Sequence, residues 1–195
     1  MRRAFEAIGA EVLVSKNPDD INNAKYIVLP GVGAYSTAMK LLNELNFIEP
    51  LEKANKRKAS LMGICLGMQL FFDESEEFKI TKGLGFIPGK ITALKKAIQS
   101  NMEKIPHTGW SNLLLPSSRK NWKGTVINHI SSKESVYFTH SYVAETNDVN
   151  VLAYFHYGKK KLVAAVQKDN IIGCQFHPEK SGDVGLKILS NFLLK

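Results

Sequence analysis

The chain has 195 residues, 44% of them apolar, which suits one folded α/β domain and excludes a disordered or fibrous chain. Its longest nearly apolar stretch, Leu61 to Phe72, is about half of the roughly 20 residues that a membrane-spanning helix needs, and Gln69 interrupts it, so no membrane association is expected. The net charge of +8 falls in short lysine runs (53–58, Lys95–Lys96, Lys159–Lys161) with no interleaved stacking aromatics, which reads as solvated surface and not as a nucleic-acid face.

In chain order, Met1-Arg2-Arg3 is followed by Glu6 and Glu11 where a secretory signal needs an uncharged core, so a cytoplasmic protein is expected. Ala4, Phe5, Ala7 and Ile8 form a short helical face that stops at Gly9; Glu11 to Ser15 is extended, and Pro18 to Ile21 has the form of a helix start. Tyr26 to Pro30, ending in Gly31-Val32-Gly33, fits a buried parallel strand, and a helix is expected from Ala34 to Leu45. Ser60 to Ile64 is a second buried strand, and Met68 to Phe72 is helical in pattern. This alternation predicts a flavodoxin-like, doubly wound, mostly parallel sheet.

After about residue 105 the pattern shortens. Thr125–Ile130, Ser135–Thr139, Val151–Tyr157, Leu162–Lys168 and Ile171–Phe176 are strand candidates, with a loop from Pro116 to Lys123 and a tight hairpin turn at Asp169-Asn170. Val184, Ile188, Leu189, Phe192 and Leu193 share one face of a closing helix. With no linker or repeat, residues 1–195 read as a single domain in which antiparallel strands of the C-terminal half join the same sheet.

Two cysteines, Cys65 and Cys174, make neither a disulfide framework nor a metal site, and no metal or cofactor is expected. Gly63-Ile64-Cys65-Leu66-Gly67 lies between a strand and a helix, where a sharp turn exposes a nucleophile and leaves room only for glycine two residues to either side. The alternative is a structural cysteine packed between two glycines. Of the five histidines, only His177 ends a buried strand with a carboxylate two residues on, so Glu179 is placed to orient its ring. Gly31, Val32 and Gly33 end a strand where backbone N–H groups can meet a developing oxyanion, as can that of Leu66.

Taken together, Leu29-Pro-Gly-Val-Gly33, Gly63-Ile-Cys-Leu-Gly-Met-Gln69, Gly83-Leu-Gly85, Pro106-His-Thr-Gly-Trp110, Thr139-His-Ser-Tyr142 and Gln175-Phe-His-Pro-Glu-Lys-Ser181 resemble the class I, triad-type glutamine amidotransferases. Within that family they resemble the glutaminase subunits of imidazole glycerol phosphate synthase. The resemblance implies a Cys65–His177–Glu179 triad, an oxyanion hole at the Gly31-Val32 peptide, and glutamine held by Gln69, Glu77, Ser141 and Tyr142. It implies that Trp110 and Lys180 face a (βα)8-barrel cyclase subunit, in a heterodimer that passes on ammonia made in histidine biosynthesis. It also implies a strand and a glycine- and asparagine-rich turn ahead of the helix that starts at Arg2, and so a domain without the family's first strand. Ser111 stands where the family pattern continues with asparagine. Two other readings stay open: an amidotransferase subunit for surface-polysaccharide sugars, or a truncated, non-catalytic interaction subunit.

Overall fold

The computed structural model describes residues 1–99 and 102–195. The chain opens with α1 (Arg2–Glu6), then β1 (Tyr26–Gly31), α2 (Tyr35–Glu44), α3 (Ile48–Lys56), β2 (Ser60–Cys65) and α4 (Leu66–Gln69). Next come β3 (Phe72–Ser75), β4 (Thr81–Lys82), β5 (Ile87–Ala93), α5 (Leu94–Ile98), β6 (His107–Asn112), β7 (Ser135–His140) and β8 (Tyr142–Glu145). β9 (Val151–Tyr157), β10 (Lys160–Lys168), β11 (Ile171–Cys174) and α6 (Gly182–Leu193) complete it.

The central sheet has the order β1-β2-β11-β10-β9, with β2 parallel to both neighbours and β10 and β9 added antiparallel. Its strands are apolar on both sides because both faces are covered. Ile27, Leu61 and Ile171 pack in one cluster with Leu51 and Ala54 of α3; Met62, Ile64 and Ile172 pack in the other with Phe5 of α1 and Ile188, Leu189 and Phe192 of α6. Gly31 lies opposite Cys65 and Cys174 opposite Ile64, so three strands end together at one carboxyl edge. That edge is where open α/β sheets present their binding crevice.

Several expectations are corrected. The later strands do not all join one sheet: β4-β3-β5-β8 form a second sheet and β6-β7 a third. Residues 125–130 are a succession of turns and not a strand. Thr125, Val126 and Ile127 form a contiguous buried run, and their backbone is satisfied locally and by Asn191 Nδ2, which donates to the carbonyls of Val126 and Asn128. The helix after Cys65 is one turn long, and Phe72 already opens β3, because Phe71 and Phe72 are wholly buried where that strand crosses to β5. Pro18–Ile21 is a single 3-10 turn capped by Asn17, and α3 is an element the sequence pattern did not reveal.

Residues 11–15 join no sheet, and Leu13 and Val14 are 75% and 71% exposed. A groove of about 600 Å³ is lined by this segment, by β1 at the sheet's edge, and by Phe47 and Phe192. No helix among the described residues is long and apolar enough to cross a membrane.

Candidate active site

Cys65 sits at the end of β2 with φ 54° and ψ −113°, a backbone conformation rarely adopted by residues with a side chain. The strain is imposed by close packing around the turn. A Cβ on Gly67 would fall 1.7 Å from the Leu29 carbonyl oxygen of β1, and one on Gly63 would fall 2.6 Å from the Gly67 backbone. The two glycines thus let β1, β2 and α4 touch, and the touching backbones fix Cys65 at the strand-to-helix elbow. Its thiol is within 3.8 Å of the Thr139 carbonyl and 3.7 Å of Gln175 Nε2.

His177 follows β11 and precedes a 3-10 turn, Pro178–Lys180. Its backbone N–H donates to the Tyr137 carbonyl at 2.8 Å, and the Ser181 hydroxyl donates to the His177 carbonyl at 2.7 Å, which ties the loop to β7. Nδ1 lies 2.9 Å from Glu179 Oε1. Nε2 is buried without a hydrogen-bond partner at normal distance among the described residues and is the nitrogen left to interact with the Cys65 thiol. Burial by itself pushes the ring's pKa down; the interactions with Cys65 and Glu179 outweigh it and hold the pKa up at about 9. Burial likewise pushes the Glu179 carboxyl up, and the His177 hydrogen bond helps bring it below its ordinary value. Cys174 is the contrast: wholly buried in β11, its thiol is driven far up by burial and by Glu179 nearby.

Gly31 closes β1 beside the elbow, where a Cβ would lie 3.0 Å from the Gly67 nitrogen and from Leu66 Cβ. Val32 is 85% exposed and Gly33 has φ 98°, so the loop after β1 stands open above the thiol. Leu66 is the first residue of α4, adjacent to Cys65. Gln69 is buried one turn on; its Nε2 donates to Gln175 Oε1 at 2.9 Å and to the Tyr142 carbonyl at 3.3 Å. Glu77 is buried too, and not part of an acidic surface: its Oε2 accepts the Tyr35 N–H at the start of α2, just beyond the Gly31–Gly33 loop. Ser141, between β7 and β8, and Tyr142, which opens β8, are half-buried, and burial and then the Glu77 charge raise the Tyr142 hydroxyl, so Glu77 and Tyr142 share one environment. Trp110 is 57% exposed on β6 and packs edge-on against Tyr137, over whose ring Lys180 Nζ lies at 5.7 Å.

The fold therefore gathers Cys65, His177, Glu179, Gln69, Glu77, Ser141, Tyr142 and the two candidate oxyanion segments at one end of the sheet, and sets Trp110 and Lys180 on an adjoining exposed face. Sequence reasoning missed Gln175, although it lies two residues before His177 in an extended run and so shares its side. It also gave no role to His107 and His140. No group of three or more His, Cys, Asp or Glu side chains among the described residues is placed to hold a metal ion.

The family model for class I glutamine amidotransferases matches residues 1–195. The chain belongs to that family. It is 41% identical over 193 residues to imidazole glycerol phosphate synthase subunit HisH 1 of Legionella pneumophila (strain Lens), covering 98% of this chain and 91% of that protein. It is 44% identical over 191 residues to HisH 1 of Campylobacter jejuni (strain 81-176), covering 97% and 90%. Among solved structures, a glutamine amidotransferase superposes with a TM-score of 0.71 at 19% identity, covering 98% of this chain and 91% of that one. PurLQS from Thermotoga maritima superposes with 0.68 at 21%, covering 99% and 91%. These two likenesses support the fold.

Proposed function

We propose that this chain is the glutaminase subunit of an imidazole glycerol phosphate synthase. It hydrolyses glutamine to glutamate and ammonia and delivers the ammonia to a (βα)8-barrel cyclase subunit in a heterodimer. The observation that carries the reading is the meeting of a strained elbow cysteine with a Glu179-oriented histidine, in a chain about 40% identical to proteins that bear that subunit's name.

The Cys65 thiolate attacks the glutamine carboxamide carbon, and the negative charge passes to the carbonyl oxygen, which backbone N–H groups of the Gly31–Gly33 loop and Leu66 receive. The tetrahedral intermediate collapses as the protonated His177 gives its proton to the departing ammonia, leaving a glutamyl thioester on Cys65. Neutral His177 then takes a proton from water; the hydroxide adds to the thioester, the sulfur leaves as thiolate, and glutamate is released. Glu179 keeps the ring oriented and offsets its charge. Gln69, Ser141 and Tyr142 line the substrate's path, and Glu77 pairs with its α-ammonium group. Trp110, Tyr137 and Lys180 form an exposed aromatic and cationic face of the composition that suits a protein partner.

Ammonia release from glutamine, measured alone and with the cyclase subunit carrying its own substrate, tests this. The rate should rise strongly with the loaded cyclase, and Trp110→Ala should weaken that rise. A rate indifferent to the cyclase points to a stand-alone hydrolase.

A further inference from the structure

Two buried histidines that the triad does not use, His107 on β6 and His140 opposite it on β7, lie on a continuous line of polar contacts between a surface strand and the thiol. Ser111 Oγ is 3.4 Å from His107 Nε2, His107 Nδ1 is 3.2 Å from His140 Nε2, and His140 Nδ1 is 2.8 Å from the Tyr142 carbonyl oxygen. That carbonyl also accepts Gln69 Nε2 at 3.3 Å; Gln69 Nε2 donates to Gln175 Oε1 at 2.9 Å, and Gln175 Nε2 reaches the Cys65 sulfur at 3.7 Å.

The protons on this line have one consistent order. Both rings are 5% exposed and packed among Phe138 and Phe155, with Tyr157 also against His107; burial holds both down at about 4, and at His140 the bond to the Tyr142 carbonyl pulls upward while the His107 and His177 charges push downward. Each is therefore neutral near pH 7 and carries a single N–H. The Tyr142 carbonyl only accepts, so His140 holds its proton on Nδ1 and offers Nε2 as an acceptor. His107 must then carry its proton on Nδ1 to fill that acceptor, which leaves its own Nε2 to accept from the Ser111 hydroxyl. Both nitrogens of both rings are satisfied, and the direction of every bond is fixed.

We propose that His107 and His140 are positioning residues that hold the Ser141–Tyr142 segment, and with it Gln69 and Gln175, in register with Cys65, and that Ser111 ends this line beside the exposed Trp110. The segment is pinned from both sides, since the Leu94 N–H donates to the Ser141 carbonyl at 2.8 Å while His140 holds that of Tyr142. A protein docking on Trp110 presses on the same strand that carries His107 and Ser111, so β6 couples the surface to the substrate segment through rings and not through backbone alone. The proposal rests on the reading of Ser141 and Tyr142 as glutamine-holding residues.

The test has two arms. Nitrogen-15 imidazole spectra of the intact protein should show His107 and His140 as neutral Nδ1–H tautomers from about pH 8 to about pH 5, since burial sets both values near 4. In steady-state hydrolysis of L-glutamine, His140→Leu should raise KM about tenfold, the loss of one hydrogen bond's worth of positioning, with kcat little changed. His140→Asn, whose amide nitrogen can replace the Nδ1–H donor, should restore most of it. Either ring titrating at the ordinary histidine value, or protonated on Nε2, overturns the proposal, as do equal KM values for wild type and both variants. These rates are read with the loaded cyclase present; if the wild type then releases no ammonia, the glutaminase reading falls, and the tautomers alone decide the proton order.

Discussion

At the scale of single residues, the two cysteines make the sharpest contrast. Cys65→Ala should abolish ammonia release while leaving thermal unfolding cooperative, because the elbow loses only a thiol; Cys174→Ala should be mild in turnover, since that side chain is small apolar packing in β11. Equal losses from both would remove Cys65 from its role. His177→Asn should lower kcat by orders of magnitude with little effect on KM, and Glu179→Gln should cost less. The raised His177 pKa gives a sign that can be checked. The imidazolium persists up to about pH 9 in the wild type, so the alkaline limb of the activity profile should lie there. Glu179→Gln removes one of the interactions that hold the ring up, so that limb should move to lower pH; a limb that stays put or moves up would contradict the assignment. Cys65, His177 and Glu179 were legible because each sits in a short motif whose backbone setting the sequence announces. Gln175, His107 and His140 were not, because the contacts that join His107 to His140 and Gln175 to Gln69 and Cys65 span 33 or more residues, and only the packing of distant strands brings them together.

At the scale of elements, the elbow depends on how closely β1, β2 and α4 approach. Gly67→Ala would drive a methyl group into the Leu29 carbonyl, which cannot give way without separating β1 from β2. We expect a loss of about 3 kcal/mol or more in denaturant unfolding, with activity lost as well. Gly124→Ala is the control: its φ of 73° is left-handed, unlike that of the helical Gly67, but nothing lies within 4 Å of the added Cβ, so the cost should stay at about 1–2 kcal/mol of backbone strain alone. Matching costs at the two positions would mean that steric crowding does not hold the elbow. β1, β2, β9, β10, the Asp169-Asn170 turn and α6 could be read from the sequence, since apolar runs bounded by turn residues and a closing amphipathic face each fit one geometry. Residues 125–130 could not, because a short run of buried residues is compatible with several backbone geometries and leaves open whether turns or a ladder satisfy the backbone. The three-way division of the strands was equally hidden, as register between distant strands leaves no local mark.

At the scale of the whole molecule, β1 is an edge strand whose free side opens onto the groove it shares with residues 11–15. An added strand there would pair with β1 and cover the half-buried Val28 and Leu29 from water. A variant extended ahead of Met1 by one strand-forming segment and a turn should therefore melt higher, by about 2–4 °C for each kcal/mol that the strand contributes. Side-by-side thermal unfolding checks this, and an unchanged melting temperature would show that the groove needs no strand. The central claim is that glutamine is opened by Cys65, and its most direct measurement is the covalent intermediate itself. The protein is mixed with L-glutamine, quenched in acid and mapped by mass spectrometry. The account predicts one added glutamyl group on the peptide bearing Cys65, absent from Cys65→Ala. Ammonia release without that adduct in the quenched wild type, or a glutamyl group found on Cys174 instead, would contradict it.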